Sequence, residues 1–218
     1  MKKLKAVVFD VDNTLIDRRK AFYDLCSYII NKYSPLYPID GSKDELIAHM
    51  VRIDGDGYGG LKKFIPTLKK YWNMEITTED FLNDRNEVFG KLSVPMPDLY
   101  EVLEILKKKY KLGIITNGYS KVQRDKIDTV KIADYFDDII VSGETDYEKP
   151  DREIFELSCR NLGVEPDETV YVGDYFPNDI AGAIGAKIMP IWINEDPNEH
   201  KEYEGIRITK LTDLLKLL

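Results

Sequence analysis

Cysteine and histidine are scarce in this sequence, with two of each. Cys26 and Cys159 lie far apart, in neither a CxxC nor a zinc-site spacing, and read as two reduced thiols in packed helices. His49 and His200 have no histidine or cysteine beside them, which argues against a histidine-based metal site. Long hydrophobic runs are missing too: none approaches the ~18 residues of a membrane span. The opening MKKLKAVVFDVDNTL has early lysines and then apolar residues, as a signal peptide does, but acids interrupt it after Phe9 and no small-residue cleavage site follows. It reads as a first strand, and a cytoplasmic protein without a membrane partner is expected. Basic residues are in the minority, 31 Lys and Arg against 39 Asp and Glu, for a net charge of -8. Nucleic acid is therefore not an expected partner, because phosphate-backbone affinity needs a basic face. A small anionic ligand stays compatible, since a local site can oppose the global charge. Internal repeats and low-complexity segments are absent.

What is present is an alternation. Short apolar runs at 4–10, 112–116, 138–141, 169–174 and 189–193 have the look of buried parallel strands. Helical patterns lie between them at 97–109, about 120–129, 151–162 and about 177–185. The first of these opens on Pro97–Asp98 and closes in lysines, which suits proline in a first turn and the helix dipole. Strand–helix alternation of this kind predicts an α/β fold with a doubly wound parallel sheet. Residues 17–92 break the rhythm with helical segments at about 18–33, 43–53, 59–72 and 78–90. They are expected to form an inserted all-helical domain, with 1–16 and 93–218 building the α/β core.

Four fragments stand at predicted strand ends: Phe9–Asp10–Val11–Asp12–Asn13–Thr14, Thr116–Asn117–Gly118, Glu148–Lys149–Pro150 and Gly173–Asp174 followed by Asp179. The carboxyl ends of parallel strands share one edge, where ligands bind, so these distant residues can meet there. Asp10, Asp174 and either Asp12 or Asp179 would then crowd together, which is unfavourable unless a cation neutralises them. Oxygen ligands alone favour a hard ion, Mg²⁺ above Ca²⁺ if phosphate completes the shell. Lys149, Thr116 and the backbone N–H groups of Asn117 and Gly118 would add donors for an anion. Such a pocket suits phosphoryl transfer, where positioning and charge stabilisation supply most of the catalysis. Taken singly, each residue reads as a cap, a turn residue or a solvated charge; their joint, ordered placement is the signal.

The sequence resembles the haloacid dehalogenase-like (HAD) hydrolase superfamily, whose first motif, Asp-x-Asp-x-Thr, matches Asp10, Asp12 and Thr14. Its later motifs match Thr116, Lys149, and Gly173–Asp174 with Asp179, and its helical cap is often inserted where residues 17–92 lie. The resemblance implies a Rossmann-like core and a phosphatase acting through an aspartyl-phosphate on Asp10. It implies Asp12 as general acid and base, Thr116 and Lys149 as phosphoryl-binding groups, and Mg²⁺ on Asp10, the Asp12 backbone carbonyl and Asp174. It implies Asp179 as an orienting residue. Dehalogenases of the superfamily lack the second aspartate, so Asp12 argues for phosphate chemistry. Phosphomutase chemistry uses the same motifs, and a signalling phospho-acceptor or an idle binding protein are readings from other classes. The expected substrate is a small phosphorylated metabolite, such as a sugar or triose phosphate or a nucleoside monophosphate, and the expected assembly a monomer or homodimer. Candidate cap contacts are Arg18, Arg19, Arg52, Asp54, Asp56, Tyr58 and Lys62. Asp54–Gly–Asp56–Gly resembles the start of a calcium loop but lacks its later ligands.

Overall fold

A computed structural model describes residues 3–36, 41–72 and 76–218. The chain forms two compact units, one from residues 1–17 with 95–218 and one from Arg18–Val94. In chain order, strand β1 (Ala6–Phe9) comes first, and the second unit follows with α1 (Arg18–Tyr33), α2 (Lys43–Asp54), α3 (Leu61–Trp72) and α4 (Thr78–Val88). The chain then returns with α5 (Leu99–Lys107), β2 (Lys111–Thr116), α6 (Ser120–Thr129), β3 (Asp138–Val141) and α7 (Arg152–Leu162). It ends with β4 (Thr169–Gly173), α8 (Ala181–Gly185), β5 (Met189–Ile193), β6 (Ile206–Ile208) and α9 (Leu214–Leu217).

All six strands pair in parallel, in the order β3-β2-β1-β4-β5-β6. The run Ala6-Val7-Val8-Phe9 is apolar throughout because both sheet faces are covered. Val7 and Phe9 pack with Leu112, Ile114, Val170 and Val172 and with Leu103 and Leu106 of α5. Ala6 and Val8 face the other way, with Tyr171 and with Ile154 and Phe155 of α7. Each Val, Leu, Ile and Phe among them contributes about 1.5–3 kcal/mol on burial. The pattern fixes register, since a slip of one residue would exchange the faces. Phe9 lies level with Ile114 and Val172, and Thr116 with Val141, so the carboxyl ends of the central strands finish side by side.

Two local readings differ from the structure. α5 begins at Leu99, so Pro97 precedes the helix rather than occupying its first turn; Asp98 has left-handed φ 60 and cannot belong to an α-helix. β6 was not anticipated: three residues with Arg207 at the centre make no apolar run. Among the described residues no helix is long and apolar enough to cross a membrane.

The helical unit has its own core. α1 buries Phe22, Leu25, Cys26, Ile29 and Ile30, and the Phe22 ring meets Phe64 and Phe89 edge-on at 6.0 and 5.9 Å. α2 stops at Gly55, whose left-handed backbone (φ 51) lets its N–H reach the Val51 carbonyl. The acids that follow are counter-ions. Asp54 accepts from buried Arg18 at 2.6 and 3.1 Å, and Asp56 pairs with exposed Arg19 at 3.0 Å. Both carboxylates are thus committed to guanidinium groups, which removes the calcium-loop reading. The side chain of Lys62 lies outside the described residues.

Candidate active site

Asp10 follows β1 directly, and its N–H donates to the Val172 carbonyl at 2.9 Å, which keeps it level with the end of β4. The chain then folds back on itself, with Leu15 and Ile16 both donating to the Val11 carbonyl. Asn13 holds a left-handed φ of 54, a region asparagine tolerates, and its side chain hydrogen-bonds Asp174.

Lys149 is the centre of the site. Its buried ammonium donates to Asp10 Oδ1 at 2.6 Å and Asp179 Oδ1 at 2.7 Å, and lies 3.0 Å from the Tyr171 hydroxyl. Three donors meet three oxygens, so the group is satisfied without water. Asn117 fixes the backbone beneath it: its Nδ2 donates to the Lys149 carbonyl and its Oδ1 accepts from the Lys149 N–H, both at 2.8 Å. One amide side chain thereby ties the end of β2 to the loop after β3. The expectation that the Gly118 N–H faces an anion is corrected, because that group donates to Ser142 Oγ at 3.0 Å. The Thr116 side chain is buried at the last position of β2, and its Oγ1 accepts from Gln123 Nε2.

Oxygens of Asp10, Asp174 and Asp179 lie within 4.8 Å of one another. Burial first, reinforced by Asp179 and Asp12 and opposed by Lys149, pushes the Asp10 carboxyl up to about 7. Burial first, reinforced by Asp179 and Asp10, also raises Asp174 well above the usual carboxylate range. Burial works against the Lys149 ammonium, yet Asp10 and Asp179 hold it above its ordinary value. One cation among three carboxylates leaves an excess of negative charge, and a divalent ion with oxygen ligands fits that set. Asp179 is the least available of the three: Lys149 takes one oxygen, and the Tyr175 N–H donates to the other at 2.9 Å.

A single π-helical turn, Phe176–Ile180, brings Asp179 back over Gly173. A Cβ at position 173 would stand 2.5 Å from Asp179 Cγ, so only glycine permits this approach. Gly173→Ala is therefore expected to displace Asp179 from Lys149 and lower turnover on the order of 100-fold, the scale of a 1 Å misplacement. Gly185→Ala, where an added Cβ meets nothing within 4 Å, should leave turnover intact and the Tm equal or higher. Equal behaviour of the two variants in rate and thermal unfolding would refute the packing argument.

The structure adds residues that sequence reasoning did not single out. Lys126 donates to both Asp12 oxygens at 2.7 Å, and Gln123 Nε2 lies 3.3 Å from Asp12 Oδ2. A signal for them existed: α6 buries Val122, Gln123, Lys126 and Ile127, so an amide and an ammonium sit on its core-facing stripe. Tyr171 gave no such signal, being one aromatic residue in a buried strand.

A parallel sheet with helices on both faces and a carboxylate cluster with a buried lysine at its carboxyl edge is a Rossmann-like core with its site where such sheets bind ligands. Residues 7–193 match the family model for haloacid dehalogenase-like hydrolases, and the chain belongs to that family. It is 31% identical to glyceraldehyde 3-phosphate phosphatase from Methanothermobacter thermautotrophicus, across 98% of both chains. It is 28% identical to human N-acylneuraminate-9-phosphatase, over 90% of this chain and 85% of that one. The structure of the HAD-hydrolase YfnB from Bacillus subtilis bound to magnesium shares the fold, with a TM-score of 0.80 and 21% identity over 100% of this chain and 99% of that one.

Proposed function

We propose that this hydrolase is a magnesium-dependent phosphatase that cleaves a small phosphorylated metabolite through an aspartyl-phosphate on Asp10. The observation that carries the reading is the buried Lys149 ammonium bonded to one Asp10 oxygen within a cluster of three carboxylates. That bond orients Asp10 and leaves its Oδ2 for attack on phosphorus. As the bond between phosphorus and the ester oxygen breaks, Asp12 gives that oxygen a proton; it then takes one from the water that hydrolyses the aspartyl-phosphate. Thr116 Oγ1 hydrogen-bonds the moving phosphoryl group and Lys149 offsets its charge. Mg²⁺, held by the carboxylates of Asp10 and Asp174 and the Asp12 backbone carbonyl, would neutralise the acids and polarise the phosphoryl oxygens. Asp179 keeps Lys149 in place.

The named activities of the phosphatase relatives support a sugar or triose phosphate as substrate class, and initial rates over a panel of phosphorylated metabolites test it. The unit Arg18–Val94 is read as the cap that tells these substrates apart. A cytoplasmic location fits two buried, unpaired cysteines.

Chelation with EDTA should abolish turnover and added Mg²⁺ restore it. A binding readout accompanies this. Without the ion, an Asp10 carboxyl raised from 3.8 to about 7 lowers stability progressively as pH rises between those values, and the full cost is present above the upper one. At low pH the same protons compete with the ion. The Mg²⁺-induced rise in Tm should therefore be larger at about pH 8 than at about pH 5. Full turnover in EDTA, or a rise in Tm that shrinks with pH, would overturn the metal assignment.

A further inference from the structure

We infer that Lys126, assisted by Gln123, is a positioning residue for Asp12; this rests on the reading of Asp12 as the proton-transfer group. An aspartate has two free side-chain torsions and, at a loop position, little to fix them. Asp12 is only partly buried, with its side chain 23% exposed, yet both its oxygens are held at 2.7 Å by an ammonium whose own side chain is 2% exposed. The long arm of Lys126 is locked by burial on α6 beside Val122 and Ile127, so the ammonium is a fixed point.

Gln123, one helical turn earlier, spans two groups with a single amide. Its Nε2 donates to Thr116 Oγ1 and lies 3.3 Å from Asp12 Oδ2. The chain Lys126–Asp12–Gln123–Thr116 sets the proton-transfer carboxylate at a defined place beside the hydroxyl that hydrogen-bonds the phosphoryl group on its way to Asp10. A carboxylate has about four lone-pair sites, so these donors leave capacity for the proton that Asp12 passes to the ester oxygen and later takes from water. Stability alone gives little reason for this pair, because replacing both members of a buried ion pair by apolar residues of similar volume is often neutral or stabilising.

A double-mutant cycle tests the inference, with kcat and kcat/KM measured for Lys126→Met, Asp12→Asn and the double variant, and each fold checked by thermal unfolding. Lys126→Met should lower kcat/KM about 10–100-fold, the scale of a misplaced reacting group. In the Asp12→Asn background the same change should cost less than about threefold, because a residue that acts through Asp12 has nothing left to position. Full multiplication of the two losses would show that Lys126 acts elsewhere and would overturn the proposal while leaving the Asp12 reading intact. Undiminished activity in Asp12→Asn would refute that reading and the proposal together. If Lys126→Met does not fold, Lys126→Gln takes its place in the cycle with the same two outcomes. It keeps an amide donor without the charge.

Discussion

The Asp10→Asn protein should turn over no phosphate ester above background and yet fold as the wild type does. An amide oxygen is a poor nucleophile. Asp174 and Asp179 lie close, but Asp179 has both oxygens engaged, by Lys149 and by the Tyr175 N–H. The loss should be on the order of 10⁴–10⁶ in kcat, the scale seen when a nucleophile that works within a constellation is removed. Fold and stability should survive for a specific reason. The substitution takes one carboxylate from a group of three around a single ammonium, and Lys149 keeps Asp179 and Tyr171 as partners. In EDTA the Tm should therefore equal or exceed that of the wild type. Beryllium fluoride, which mimics an acyl phosphate, should attach at Asp10 in the wild type. Turnover within tenfold of wild type, or an adduct mapped to another residue, would remove Asp10 from its role.

Lys149→Met is the second large effect, and it differs in kind because it damages rate and stability together. Losing the ammonium bonded to both Asp10 and Asp179 leaves two facing buried carboxylates, and breaking a buried ion pair costs about 3–5 kcal/mol. Turnover should fall on the order of 10³-fold or more, as expected when a group that stabilises developing charge is removed. Lys149→Arg should not rescue it. A forked guanidinium cannot take the place of a compact ammonium among three converging oxygens in a buried space. Mg²⁺ should recover part of the lost Tm by neutralising the same acids, while turnover stays low. A Lys149→Met enzyme with near-wild-type turnover would return this lysine to a structural role.

The parts of this molecule that were legible in the sequence are those in which one residue type does one thing. The strands of a doubly covered sheet must be apolar on both faces, so β1, β2 and β4 stand out as continuous runs. Asp10 and Asp174 stand out because the β1 and β4 runs stop on them. The illegible parts depend on neighbours that only the fold supplies. The side-chain amide of Asn117 carried no signal of its own, and in the fold it closes two hydrogen bonds on the Lys149 backbone. The Gly118 N–H was expected to serve an anion, but the chain places Ser142 in its path. β6 escaped notice because a three-residue edge strand buries too little to leave a pattern. Lys126 and Gln123 were readable in principle, as polar residues on a buried helical stripe, and their partner Asp12 more than a hundred positions away was not.

The crowding of Asp10, Asp174 and Asp179 around one lysine sets what selection preserves against what stability favours. In the absence of a bound cation, burial opposes the charged forms of Asp10 and Asp174, and a neutral residue of the same shape at either position would cost the fold less. Neutralising Asp10 or Asp174 would therefore tend to strengthen the metal-free protein while silencing it. A lineage released from the need for this reaction would lose its acids early and keep its fold.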